Sequence, residues 1–142
     1  MSPPARRTVR LVTGVYTLLL AVASLLPSGK DVLGNWDSEI DPTWQNWLHL
    51  PAYAGLVVLV VLSLSASRKV GVRELVCVAA ACCAFGVSLE LAQVVIPGRT
   101  ASVTDALINV AGAIFGFPVA AWLCKRLATN TDVGNRGATD EQ

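Results

Sequence analysis

One length recurs along this chain and constrains it more than any motif does. Four apolar stretches, at roughly residues 9–26, 48–66, 75–96 and 106–124, each approach the ~20 residues that carry a helix across ~30 Å of hydrocarbon. Turn and charge signals separate them: Pro27-Ser28-Gly29-Lys30, then Arg68-Lys69-Val70-Gly71-Val72-Arg73, then Pro97-Gly98-Arg99. The pattern predicts an all-α protein, a bundle of four transmembrane helices. Composition agrees: 54% of the 142 residues are hydrophobic, 15% are charged and mean hydropathy is +0.56, an apolar excess that needs lipid as well as a core. The formal net charge of +1 gives no field that would draw nucleic acid.

How the charges are distributed says more than their sum. Arg6, Arg7 and Arg10 precede the first span, Arg68, Lys69 and Arg73 separate the second from the third, and Lys125, Arg126 and Arg136 follow the fourth. Nine of the eleven basic residues thus fall on one side, leaving Lys30 and Arg99 on the other. The positive-inside rule puts the nine, and with them both termini, in the cytoplasm. The segment 27–47 then faces outward, with Asp31, Asp37, Glu39 and Asp41, and with Trp36, Trp44 and Trp47 as interfacial anchors. Ala21-Val22-Ala23 after an arginine-rich start also fits a secretory signal, but the apolar run continues through Leu25 and Leu26, which suits a retained anchor. Residues 1–128 are read as one transmembrane domain. Residues 129–142, rich in Thr, Asn, Asp and Gly and without apolar periodicity, are read as a disordered cytoplasmic tail.

The four cysteines, Cys77, Cys82, Cys83 and Cys124, lie within apolar runs, with no CxxC spacing and no neighbouring His. They read as small packing residues, and no metal and no cofactor is expected.

Polar residues inside the spans are the informative exception. Glu90 and Gln93 form an i, i+3 pair on one face of the third span, with Gly86 one turn earlier. A carboxylate at the centre of a span costs about 2.5 to 3.5 kcal/mol even on insertion scales, so Glu90 should face the bundle. The following stretch brings Arg99, Ser102, Thr104 and Asp105, where Ser102 or Thr104 can cap the fourth helix and Asp105 suits its first turn. Asp105, Asn109, Gly112 and Gly116 step by four, three and four, giving one stripe that is polar outward and small inward. Gly86, Gly112 and Gly116 are read as packing positions that let helices approach closely. His49 opens the second span on the same outer side. Together His49, Glu90, Gln93, Arg99, Ser102, Asp105 and Asn109 form the candidate site, with Arg99 as countercharge to Glu90 or Asp105.

Gly86, Glu90, Gln93, Pro97, Gly98, Arg99, Ser102, Asp105, Asn109, Gly112 and Gly116, with His49 and Tyr53 ahead of them, resemble the VanZ-like family of small bacterial membrane proteins. Members often carry an Asp-Lys pair shortly before the histidine, where this chain has Gln45-Asn46. The resemblance implies a multi-pass protein of the bacterial cytoplasmic (inner) membrane with a cell-envelope role, in a family named for a member linked to resistance to the glycopeptide teicoplanin. It implies no settled enzymatic mechanism.

Three functions use the site differently. As a binding module, an outer-face cluster holds a lipid head group, a cell-wall precursor or a glycopeptide, with Arg99 meeting an anionic group and Asn109 and Gln93 supplying amide hydrogen bonds. As a membrane enzyme, Glu90, Asp105 and His49 serve as acid, base or metal ligand, although no GxSxG, HExxH or P-loop is present. As an ion or proton conductor, the buried carboxylates relay charge within a homo-oligomer. A structural reading gives Glu90, Arg99 and Asp105 only the task of fastening the third and fourth helices together.

Overall fold

The computed structural model of the chain describes residues 3–26, 42–67, 69–96 and 101–137. Four helices account for nearly all of them: α1 (Pro3–Leu25), α2 (Pro42–Ser65), α3 (Val72–Gln93) and α4 (Val103–Gly137), with no strand among the described residues. Each contains a segment long and apolar enough to cross a membrane: Pro3–Leu25, Trp47–Ser65, Val72–Gln93 and Val103–Leu127. The protein is all-α, as the four spans predict.

Local chemistry sets the helix ends. α1 begins at Pro3-Pro4, ahead of the apolar run, because proline has no N–H to lose in a first turn. Glu74 starts α3 by accepting a hydrogen bond from the Gly71 amide at 3.0 Å. Ser102 caps α4, its Oγ accepting the Asp105 N–H at 3.3 Å. At the other end α4 continues to Gly137, so the stretch read as a disordered tail from Thr129 enters as helix. Extending a formed helix adds one hydrogen bond for each residue fixed, which lets a polar sequence follow an apolar one.

Contacts fix the directions. α1 runs opposite to α2: Arg10 donates to Ser67 Oγ, Thr13 to the Leu59 carbonyl at 3.2 Å, and Tyr16 to the Ala52 carbonyl at 2.9 Å. α2 and α4 run in the same direction, with Gly112 against Leu50, Gly116 against Ala54, and Cys124 Sγ beside Ser65 Oγ at 3.2 Å. This is the most extensive interhelical contact. A Cβ on Gly112 would sit 2.5 Å from the Leu50 carbonyl oxygen, and one on Gly116 would sit 2.6 Å from that of Ala54. Two glycines one turn apart therefore let the backbones meet, the way helices associate when lipid offers no hydrophobic penalty for staying apart.

The core forms around α2, where Tyr53, Leu56, Val57 and Val61 pack with Leu75, Val78 and Cys82 of α3 and Ala113 and Ala120 of α4. α1 lies at the edge. Of its residues only Ser24 is buried, whereas Leu11, Val15, Leu18, Leu19 and Val22 are exposed. That outward apolar face is the surface a lipid solvent wants. The alternation of directions collects Arg10, Lys69, Arg73 and Lys125 at one end of the bundle. His49, Gln93, Ser102 and Asp105 gather at the other.

Candidate functional site

The site is built on Tyr53, which is completely buried between α3 and α4. Glycines make its berth. A Cβ on Gly86 would stand 2.8 Å from Tyr53 Cε1 and 2.9 Å from Asn109 Cβ, and one on Gly112 would stand 3.0 Å from Tyr53 Cβ. Any side chain at Gly86 would push the ring and Asn109 out of this arrangement, so the glycine that looks like a packing position also shapes the site. His49, one turn before Tyr53 on α2, lies with its ring nearly parallel to the phenol ring, at 18° and 6.5 Å between centroids.

Three helices bring polar groups to this place. α3 contributes Glu90 and Gln93, each 5% exposed, and α4 contributes Asn109 at 1%. Gln93 Nε2 donates to the Ser24 carbonyl of α1 at 2.8 Å, tying the edge helix to the site. Glu90 and Asp105 are linked through Ser102, whose backbone N–H points to Glu90 Oε2 at a long 3.4 Å and whose Oγ accepts from the Asp105 amide. The two carboxylates thus share one end of the bundle and one intermediary.

Among the described residues, four buried polar atoms have no hydrogen-bond partner: His49 Nδ1, Tyr53 OH, Asp105 Oδ1 and Asn109 Oδ1. They come as two i, i+4 pairs, one from α2 and one from α4. Leaving a buried polar group unmatched costs about 1 to 3 kcal/mol, and such groups are rare enough in folded proteins that each needs a reason. Two of the four are carbonyl-type oxygens that only accept, and the other two, a phenol and an imidazole, accept as readily as they donate. The two oxygens of α4 call for a donor, whereas the phenol and the imidazole of α2 take either a donor or an acceptor.

Of the residues read from sequence, the structure brings His49, Glu90, Gln93, Ser102, Asp105 and Asn109 to one end, with Gly86 and Gly112 against Tyr53 and Gly116 further along the α2–α4 contact. Arg99 lies outside the described residues, as do Trp36 and the acidic residues of the segment 27–41. Trp47, at the same end, is exposed. Spacing alone did not single out Tyr53. The available signal was a tyrosine in an apolar span one turn beyond the histidine. Ser24 was missed because its backbone carbonyl, not its side chain, makes the contact.

Among the described residues, no three His, Cys, Asp or Glu side chains converge as they would around a metal ion. Cys82 is buried, Cys83 and Cys124 half-buried and Cys77 exposed, all as free thiols.

No curated protein and no solved structure matches the chain. The VanZ/LLP1 family model matches residues 13–125, a stretch that covers the second and third spans entirely, the first and fourth in part, and every residue of the site. The protein is a multi-pass membrane protein and belongs to the VanZ/LLP1 family.

Proposed function

We propose that this is a cell-envelope protein of the bacterial cytoplasmic membrane that binds a polar, donor-rich ligand in the cluster around Tyr53 and Asn109, and that this binding contributes to glycopeptide resistance of the teicoplanin type. The observation that carries the reading is the pair of fully buried polar atoms, Tyr53 OH and Asn109 Oδ1, both able to accept and both without partners among the described residues. A ligand with hydroxyl, amide N–H or ammonium groups would satisfy them. A lipid head group, a cell-wall precursor and a glycopeptide all carry such donors. Gln93 and Ser102 flank the pair, and Arg99, in the connection between α3 and α4, would suit an anionic part of the same ligand.

The basic end faces the cytoplasm in this reading, so the site lies at the outward end of the bundle, where envelope ligands are found. Residues 1–128 form the membrane unit and the rest projects on the cytoplasmic side. A reporter fused after Lys125 should behave as cytoplasmic and one inserted near Glu39 as extracytoplasmic; the reverse pattern would turn the site inward and end the proposal.

The direct test compares teicoplanin susceptibility of a sensitive bacterial host expressing the wild type, Glu90→Gln or Asn109→Leu, with membrane levels of each protein measured in parallel. Reduced susceptibility with the wild type, lost in either variant at equal protein level, supports the reading. Equal susceptibility across all three, with preserved folding, would leave Glu90 and Asn109 only the task of fastening helices.

A further inference from the structure

At the basic end, away from the site just described, a cavity of about 490 Å³ opens between α1, α2 and α3. Its walls include Val60 and Leu64 of α2, Ala81 and Phe85 of α3 and Thr17 of α1, with Arg73 at its head. The cause lies in the α3 sequence. Arg73, Cys77, Ala81 and Phe85 recur every four residues and so line one face, and the two short side chains in the middle leave the space that larger ones would fill.

We propose that this groove holds one acyl chain of an anionic phospholipid whose phosphate rests on Arg73. Length supports it: from Arg73 to Phe85 the helix rises about 18 Å at ~1.5 Å per residue, close to the ~15 Å that one leaflet contributes to a ~30 Å hydrocarbon core. The walls are apolar where the chain would lie, and the volume falls within that of pockets that enclose a small ligand. Charge supports it too. Arg73 and the neighbouring Lys69 are exposed at the head of the groove, and a guanidinium fork matches phosphate geometry. Glu74, the acidic residue there, turns Oε2 back to the Gly71 amide to start α3. The head of the groove therefore presents cation outward and hydrocarbon inward, the profile of a lipid at a membrane surface.

The full-length protein in detergent, analysed by native mass spectrometry against phosphatidylglycerol and phosphatidylcholine with identical chains, tests this. The wild type should retain phosphatidylglycerol about fivefold better, the preference that one basic residue near a surface confers. Arg73→Gln should abolish the preference, and Ala81→Phe, which fills the groove, should remove the bound lipid with either head group. Equal retention of the two lipids by the wild type, or an unchanged preference in Arg73→Gln, would overturn the proposal. So would loss of a dimer rather than of lipid in Ala81→Phe, which would make a second copy of the chain the occupant. Should Ala81→Phe fail to fold, phosphatidylglycerol with a diazirine in its acyl chain decides on the wild type: crosslinks on α3 between Arg73 and Phe85 support the groove, and crosslinks scattered over the exposed face of α1 exclude it.

Discussion

At the basic end of the bundle Lys69, Arg73 and Lys125 are exposed, and Arg73 stands at the head of a cavity whose walls include the apolar Val60, Leu64 and Ala81. At the opposite end the order is inverted. Trp47, Leu48, Val95 and Val103 are exposed there, while Tyr53, Glu90, Gln93 and Asn109 are buried. The first arrangement is cheap, because charged side chains at a helix end reach water and lipid takes the apolar surface. The second is costly: each buried polar group gives up hydration, and Tyr53 OH and Asn109 Oδ1, with His49 Nδ1 and Asp105 Oδ1 beside them, recover no hydrogen bond among the described residues. Where a protein keeps an expensive arrangement beside a cheap one, function is the economical explanation for the expensive one.

The largest effect should come from the packing that closes the polar end. Gly112→Leu places a side chain where a single Cβ already falls 2.5 Å from the Leu50 carbonyl oxygen. Backbone cannot yield as a flexible side chain can, so α2 and α4 must separate, at a cost of about 3 kcal/mol or more. Ala81→Leu adds comparable bulk at the other end, facing the cavity, and should change stability by less than about 1 kcal/mol. Thermal unfolding of both purified variants checks the contrast. Equal melting temperatures would mean that the two ends are packed alike.

Tyr53→Phe probes the buried polar groups and predicts opposite signs for two measurements. Removing a phenol oxygen that has no partner among the described residues relieves its desolvation, so the variant should be as stable as the wild type or more stable, by up to about 1 kcal/mol. Losing an acceptor that a ligand needs should weaken binding, and any resistance that rests on it, by about tenfold. A stability gain with a functional loss is the signature of a site maintained at the expense of the fold. A stability loss would show that the hydroxyl already contributes to the native packing.

Much of this contrast is legible in the sequence, for physical reasons that differ from part to part. The four spans can be read because crossing hydrocarbon demands apolar length, and the inward direction of Glu90 because a carboxylate in lipid is penalised. The Ser102 cap follows from residue type and position. The Gly112 and Gly116 stripe could be read as a packing edge, but not as an edge facing Leu50 and Ala54, because spacing fixes a helix face without naming the neighbour that meets it. Tyr53 is named in sequence only by the family resemblance, and its central place is hidden for the same reason: its burial depends on the berth that Gly86 and Gly112 make on two other helices. The bonds from Thr13 and Tyr16 to carbonyls of α2 were equally hidden, since a backbone acceptor carries no residue signature. Helix starts differ from the apolar runs because caps and first-turn prolines, not hydropathy, set them.

The smallest effects concern how α1 is pinned at each end. At the polar end, Gln93 donates to the Ser24 carbonyl at 2.8 Å in a buried contact, matching one of the carbonyls that the last turn of a helix leaves without an intrahelical partner. At the basic end, Arg10 donates to Ser67 Oγ in an exposed one. The residue types are ordinary in both cases, so burial should decide between them. Gln93→Leu keeps the bulk and deletes the donor, leaving a buried carbonyl poorer by one bond, at a cost of about 1 kcal/mol, in the range of interhelical hydrogen bonds within membranes. Arg10→Ala removes a bond for which water and lipid head groups substitute, so it should cost no more than about 0.5 kcal/mol. Hydrogen exchange along α1 reads both: Gln93→Leu should raise exchange in the turn ending at Leu25, whereas Arg10→Ala should leave the first turns close to wild type. Larger loosening by Arg10→Ala would make the basic end the true anchor of α1, and the inverted arrangement of the two ends would lose its energetic basis.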